Sequence, residues 1–194
     1  MAASIDAAAK AIGDFLTALG IDRDVDPELA GTPERVARAW ADELVDGYGT
    51  EPEALLADAL ASGERGMVTV LDLDYVSVCP HHLMPVQGRA HVGYLPGGRI
   101  VGLGVLSQLV DALSHRLVLQ ETLGQRVADA LVTQLGARAA GAVLDARHAC
   151  LSTRGEAQRA ARVVTQSFAG LWADDPVARA EFIAATSRAE GAGP

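Results

Sequence analysis

Both cysteines of the chain and three of its five histidines fall in two short stretches, Cys79-Pro80-His81-His82 and His148-Ala149-Cys150. A thiolate and an imidazole separated by two residues, with a distant second thiolate, supply three protein ligands for zinc: Cys79, His82 and Cys150. Structural zinc closes its shell with four protein ligands, and no third cysteine exists here to close it. Three ligands and an open position are the pattern of a catalytic zinc site, in which water takes the fourth place. A disulfide between Cys79 and Cys150 is the competing reading. Nothing in the sequence points to the oxidising compartment that it would need.

Composition narrows what such a site could act on. The chain has 194 residues, about half of them apolar, and few aromatics, which suits one globular domain with a full core. A formal net charge of −9 argues against a nucleic-acid partner. It also requires any anionic substrate to be held by a local basic cluster. Asp6, Lys10 and Asp14 interrupt the apolar residues of the N-terminus, so no signal peptide is read there. No apolar run is long enough to span a bilayer. The expectation is a soluble, cytoplasmic chain with no membrane partner.

The elements that would position the two stretches can be read from periodicity. Ile5, Ala8, Ile12, Phe15, Leu16 and Leu19 lie at helical spacing over residues 4–19. Thr32-Pro33 reads as N-cap and first residue of a second helix, and residues 53–61 as a short third. From Met67 the pattern changes to β-branched and apolar residues over 67–78, a strand leading directly into Cys79. Residues 86–95 alternate, with Val86, Gly88, Ala90, Val92 and Tyr94 on one face. Pro96-Gly97-Gly98 is a turn signal, and residues 99–103 return as a strand. Two helices follow, lined by Val105, Leu106, Leu109, Val110 and Leu113, and by Leu119, Leu123, Val127, Ala130 and Leu131. Residues 141–152 and 161–171 read as strands, and Asp175-Pro176 as the cap of a last helix. Strands grouped in pairs between groups of helices predict an α+β fold with an antiparallel sheet and helices on one face. A helical section over 1–64 precedes the sheet section over 65–190, with no linker that divides the chain.

The sequence resembles the GTP cyclohydrolase I family. The likeness runs through Gly31-Thr32-Pro33-Glu34-Arg35-Val36, Cys79-Pro80-His81-His82-Leu83, Gly93-Tyr94-Leu95-Pro96, Val101-Gly102-Leu103, Gln120-Glu121-Thr122-Leu123, His148-Ala149-Cys150 and Thr153-Arg154-Gly155. Each motif alone is weak, but their order and spacing cover nearly the whole chain. The resemblance implies the tunnelling fold, a four-stranded antiparallel sheet with two helices on one face behind a helical N-terminal section. It implies subunits that join their sheets into barrels, and two rings that stack into a decamer. It further implies zinc on Cys79, His82 and Cys150, with His81 and His148 as acid–base residues. Gln120 and Glu121 would grip the guanine edge, and Arg154 would meet the triphosphate, with Arg159 and Arg162 as weaker basic candidates.

The chemistry is consistent with those residue types. Opening the imidazole ring of a purine requires water to add at C8, and zinc lowers the pKa of a bound water from ~15.7 to ~7. Imidazoles titrate in the range needed to protonate the leaving ring nitrogen. A carboxylate such as Glu121 accepts from the N1–H and exocyclic amine of guanine, a pattern that adenine lacks. More ordinary readings exist: His81 as a mere neighbour of a ligand, Gln120-Glu121 as helix-terminal polar residues, and His91 and His115 as surface or strand residues. His148, two residues before Cys150 on a strand, is expected to share its face and so to lie near the metal.

The sequence departs from the family pattern at the phosphate end. Pro80 replaces a glutamate, and Gly104, Val105 and Gln108 stand where the family has serine, lysine and arginine. Two lost charge-assisted bonds at ~1.5–3 kcal/mol each would cost about two to four orders of magnitude in triphosphate affinity. Glu156-Ala157-Gln158-Arg159-Ala160-Ala161 replaces a serine- and threonine-rich run, and Glu156 would repel phosphate. The reading drawn from this is a zinc-dependent hydrolase that opens the imidazole ring of a guanine-type purine carrying fewer phosphates than GTP. The alternatives are ordinary conversion of GTP to 7,8-dihydroneopterin triphosphate and formate, and a zinc-bound assembly module without catalysis. A nitrile-reductase relative is disfavoured because no cysteine nucleophile or NADPH motif is visible. A nucleobase deaminase lacks its His-x-Glu and Pro-Cys-x-x-Cys.

Overall fold

A computed structural model describes residues 4–22, 25–155 and 157–191. Its contacts define two compact units, residues 1–46 and residues 47–194.

The first unit is helical. α1 spans Ile5–Ala18 and is capped by Ser4, whose Oγ accepts from Ala7 N at 3.3 Å. α2 spans Thr32–Ala39 and packs against α1. Thr32 is inside this helix and is not its cap. The N-cap is Gly31, held at φ 71°, a left-handed conformation that glycine adopts without a Cβ clash. A π-helical turn, Trp40–Leu44, continues α2.

The second unit contains the sheet. α3 is shorter than its periodicity suggests, spanning Pro52–Leu56. Leu60–Ala61 instead forms a two-residue strand, β1, paired with β4, Arg99–Ile100. The segment expected as a strand over 99–103 therefore ends early, because α4 begins at Leu103. Four long strands make the main sheet: β2 Val68–Val78, β3 Pro85–Leu95, β5 Ala139–His148 and β6 Val163–Gly170. Their order is β2-β3-β5-β6, and every neighbouring pair is antiparallel. α4 (Leu103–Ser114) and α5 (Gln120–Thr133) supply Leu106, Leu109, Leu123, Val127 and Leu131, all fully buried in one core with Ala90, Val92, Tyr94 and Leu144. This is the α+β architecture expected from the sequence, a four-stranded antiparallel sheet with two helices packed on one face.

The opposite face of the sheet carries an additional layer. Ala139 and Val143 pack there with Trp172 of α7 (Leu171–Asp174) and Phe182 of α8 (Ala180–Gly191). Phe182 stacks on Trp172 with ring centroids 5.2 Å apart. Gly93 makes room for it, since a Cβ there would lie 2.6 Å from the Phe182 ring. Asp175 does not cap α8 itself. Its Oδ1 accepts from Val177 N and Ala178 N in the turn that precedes the helix.

Candidate active site

The β2 pleat delivers the first ligand. Successive strand side chains alternate, so Tyr75, Ser77 and Cys79 all point to the helix-covered side, and all three are buried. After Cys79 the chain reverses in a tight turn, closed by Leu83 N to Cys79 O at 2.9 Å and Cys79 N to Met84 O at 2.9 Å. Leu83 takes φ 53°, a left-handed conformation costly for a branched side chain, and it is one of only three such non-glycine residues described. The turn folds His82 back over the strand end, bringing Nδ1 to 3.8 Å from Cys79 Sγ.

The second cysteine arrives differently from the expectation. β5 ends at His148, and Cys150 lies in a single helical turn, α6 (Ala149–Ser152). His148 and Cys150 therefore do not share a strand face. The helical turn, not the strand period, carries Cys150 to the site. Both cysteines are free thiols. The ligand atoms of Cys79, His82 and Cys150 all lie within 4.8 Å of one another. A tetrahedral metal with sulfur at ~2.3 Å and nitrogen at ~2.05 Å has edges of about 3.6–3.8 Å, so the group fits a metal with little adjustment. Its electrostatics agree. Burial and the adjacent Cys79 push the Cys150 thiol up, against a smaller opposing pull from Arg154. A divalent cation between the two sulfurs would reverse that cost.

One cavity of about 260 Å³ contains Cys79, His82, Cys150, His148, Gln120 and Glu121 together. His81 also lines it, with its ring edge-on to His82 at 6.1 Å between centroids. Gln120 begins α5 but is almost completely buried, and its side chain is turned inward. Its Nε2 donates to Leu144 O at 3.0 Å and Val163 O at 2.9 Å, with Thr165 Oγ1 at 3.2 Å. Its Oε1 lies 2.7 Å from His148 Nε2. An amide oxygen only accepts, so His148 carries its proton on Nε2 and leaves Nδ1 as the basic nitrogen. The Gln120 amide thus joins His148 to the carbonyls of β5 and β6 at the wall of the cavity. Burial lowers the His148 pKa, and the Glu121 carboxylate nearby opposes that shift. Glu121 stands exposed in the first turn of α5 and remains available to a ligand.

The basic candidates separate. Arg154 is exposed close to Cys150, where its charge acts on the thiol. Arg159 is exposed and lines no part of the cavity. Arg162 is committed elsewhere: its Nε donates to Asp145 Oδ1 at 2.8 Å and its Nη2 pairs with Oδ2. Asp145 shares the sheet face of Val143, opposite to the face of Leu144 and His148, and in this ligand-free chain Arg162 is paired with it. Glu156 lies outside the described residues. Gly104, Val105 and Gln108 occupy the first turns of α4 and do not line the cavity. His91 is buried on the opposite sheet face, where its Nδ1 accepts from Asp72 N at the β2 bulge. His115 also lies outside this cavity. Tyr75 and Ser77, which line it, were not singled out from sequence. The alternation 75, 77, 79 leading into Cys79 was the signal that could have found them.

Fold and site together define a tunnelling-fold hydrolase. Residues 8–187 match the family model described as GTP cyclohydrolase I, and the chain belongs to that family, whose members hydrolyse a cyclic amidine C–N bond. The chain is 43% identical over 187 residues to the GTP cyclohydrolase 1 of Chromobacterium violaceum, covering 94% of this chain and 89% of that one. It is 42% identical over 176 residues to that of Leifsonia xyli, covering 90% and 91%. With that of Thermobifida fusca the identity is 41% over 174 residues, covering 89% and 83%. A solved structure, an archaeosine synthase QueF-Like in the apo form, aligns at 17% identity with a TM-score of 0.41, over 54% of this chain and 95% of that one. Among the described residues, no helix is long and apolar enough to cross a membrane.

Proposed function

We propose that this protein converts GTP to 7,8-dihydroneopterin triphosphate and formate. The observation that carries this is the convergence of Cys79, His82 and Cys150 within 4.8 Å, in one cavity with His81, His148 and Glu121. Cys79, His82 and Cys150 would hold zinc, which when bound supplies Lewis-acid activation of water at neutral pH. Glu121 accepts from N1–H and the amine of guanine and so sets the base in one orientation. His148 is held by Gln120 in a single tautomer, with Nδ1 able to take a proton and return it to the ring nitrogen as the C8–N bond breaks. His81, exposed at the rim, serves as the second proton carrier. Arg154 meets the triphosphate at the mouth. The protein works as a cyclic homo-oligomer, a decamer of two rings, in the cytoplasm.

The reading with fewer phosphates draws on Gly104, Val105 and Gln108 and on the engagement of Arg162 with Asp145. Similarity along almost the full chain to proteins named GTP cyclohydrolase 1 favours the triphosphate. The deciding measurement is kcat/KM of the zinc-loaded protein for GTP, GMP, guanosine and guanine at fixed ionic strength, followed by formate release. A preference for GTP of several hundredfold is expected. Equal or better turnover of guanosine would overturn the triphosphate assignment, and no formate from any of the four would overturn ring opening.

A further inference from the structure

Two residues that carry hydroxyls, Tyr75 and Ser77, are among those lining the cavity, and Tyr75 also lines a second cavity of about 470 Å³. Tyr75 and Ser77 lie two and one strand repeats before Cys79, on its face of β2, and both line the cavity. Each is 3% exposed, and neither Tyr75 OH nor Ser77 Oγ has a hydrogen-bond partner in the structure. A buried hydroxyl left unmade is costly, and persists where a ligand or water completes it. The row Ser77, Val86, His148 runs straight across β2, β3 and β5. At roughly 4.8 Å per strand, Ser77 stands about 10 Å of backbone from His148, with only a valine between them. That gap admits a planar ring and is too wide for a direct bond.

The rest of the lining limits which groups a purine base would meet here. Glu121 can only accept, and it suits the N1–H and amine of guanine. C8 must approach the ligand group of Cys79, His82 and Cys150. The purine edge between those two anchors carries O6, a carbonyl oxygen with two lone pairs and a need for donors. The Gln120 amide is fully engaged by Leu144 O, Val163 O and Thr165 Oγ1. His81 and His148 are engaged in proton transfer on the reading above. Tyr75 and Ser77 are the remaining side-chain hydroxyls of the lining. A volume of about 260 Å³ falls short of the ~300–1,000 Å³ of sites that enclose a whole drug-sized ligand. It is suited to a base, with the sugar and phosphates outside.

We infer that Tyr75 and Ser77 are specificity-determining residues whose hydroxyls donate to O6 of the bound guanine. This rests on the functional reading above. Completing two idle donors strengthens binding to an oxo-purine and gives the free protein nothing, so the pair trades stability for recognition.

The test compares wild type, Tyr75→Phe and Ser77→Ala, all zinc-loaded, on GTP and on 6-thio-GTP. The thio analogue keeps N1–H and the amine but offers a weak acceptor at position 6. Each variant is expected to lose about tenfold in kcat/KM on GTP, mainly through KM, as for one well-made neutral hydrogen bond. On 6-thio-GTP the loss should shrink to under about threefold. The thermal midpoint of the ligand-free variants should equal or exceed that of wild type, since an idle buried hydroxyl has been removed. The inference fails if GTP turnover stays within about twofold of wild type, or if the loss is equal on both substrates. It also fails if Tyr75→Phe lowers the midpoint, which would reveal an internal partner for the hydroxyl. Wild-type protein that releases no formate from GTP would overturn the functional reading itself, and the O6 assignment with it.

Discussion

At the scale of residues, the site is built from groups whose neighbours decide their state. Cys150 is disfavoured as a thiolate by burial and by Cys79, so a cation is what makes the cluster of sulfurs comfortable. Cys150→Ala should therefore lose zinc and activity together, measured as metal content after gel filtration and as formate release. Stoichiometric zinc persisting in that variant would refute the ligand set. Glu121 and Arg154 are both exposed, and on the proposed function they answer to different parts of the substrate. Glu121→Ala should reduce kcat/KM at least roughly tenfold on every guanine substrate, because the base donors lose their acceptor. Arg154→Ala should cost roughly 10–100-fold on GTP, from ~1.5–3 kcal/mol per charge-assisted bond, and leave guanosine unchanged. Equal loss on GTP and guanosine would place Arg154 in the fold instead of at the phosphates.

At the scale of elements, the site is a junction where β2, β5 and α5 end or begin. Loop 115–119 leads into Gln120 and Glu121 and is braced from several sides. Val118 N donates to Val78 O at 3.3 Å, and Arg116 reaches Gly47 O at 2.8 Å and Thr50 O at 2.7 Å. Gln120 then ties α5 to β5 and β6 through strand carbonyls, so the helix that presents Glu121 is fixed to the sheet that presents His148. On the other face, the close approach of α8 depends on Gly93 and Gly141. Gly93→Ala should push Phe182 off the sheet, with Trp172 stacked behind it leaving little room to yield. The expected cost is ~1–3 kcal/mol, a fall of roughly 3–10 °C in the thermal midpoint. An unchanged midpoint in calorimetry would show that α8 is not packed there in solution.

At the scale of the molecule, β2 and β6 are the edge strands of the four-stranded sheet among the described residues, with only Val78 of β2 bridged further, to Leu117. Open edges of this length invite pairing, and half-exposed Val164 on β6 adds apolar surface. The proposed assembly pairs these edges between subunits into a ring. Light scattering at micromolar concentration should give a cyclic homo-oligomer, with a decamer expected, and a monomer would contradict it. A lysine at the edge, Val164→Lys, should weaken the assembly by placing a charge against the neighbouring strand.

Much of this was determined by the sequence alone, because it depends on local periodicity or on residue type. The strands over 67–78 and 86–95, the two amphipathic helices after Pro96-Gly97-Gly98, and the zinc-ligand types at Cys79, His82 and Cys150 are of this kind. Each reflects a period of 2 or 3.6, or a donor chemistry that few residues possess. Tertiary structure decided what depends on partners far apart in the chain. Gln120 reads as a helix-start polar residue until the carbonyls of Leu144 and Val163, more than twenty residues away, capture its amide. Arg162 reads as a free cation until Asp145 on the adjacent strand pairs with it. Cys150 reads as a strand residue because no glycine or proline breaks the stretch from Ala142 to Cys150, and only the fold ends the strand at His148 and turns the cysteine toward Cys79. Hydrogen bonds and ion pairs between distant segments leave no period in the sequence, and they settle which polar residues remain free to meet a substrate.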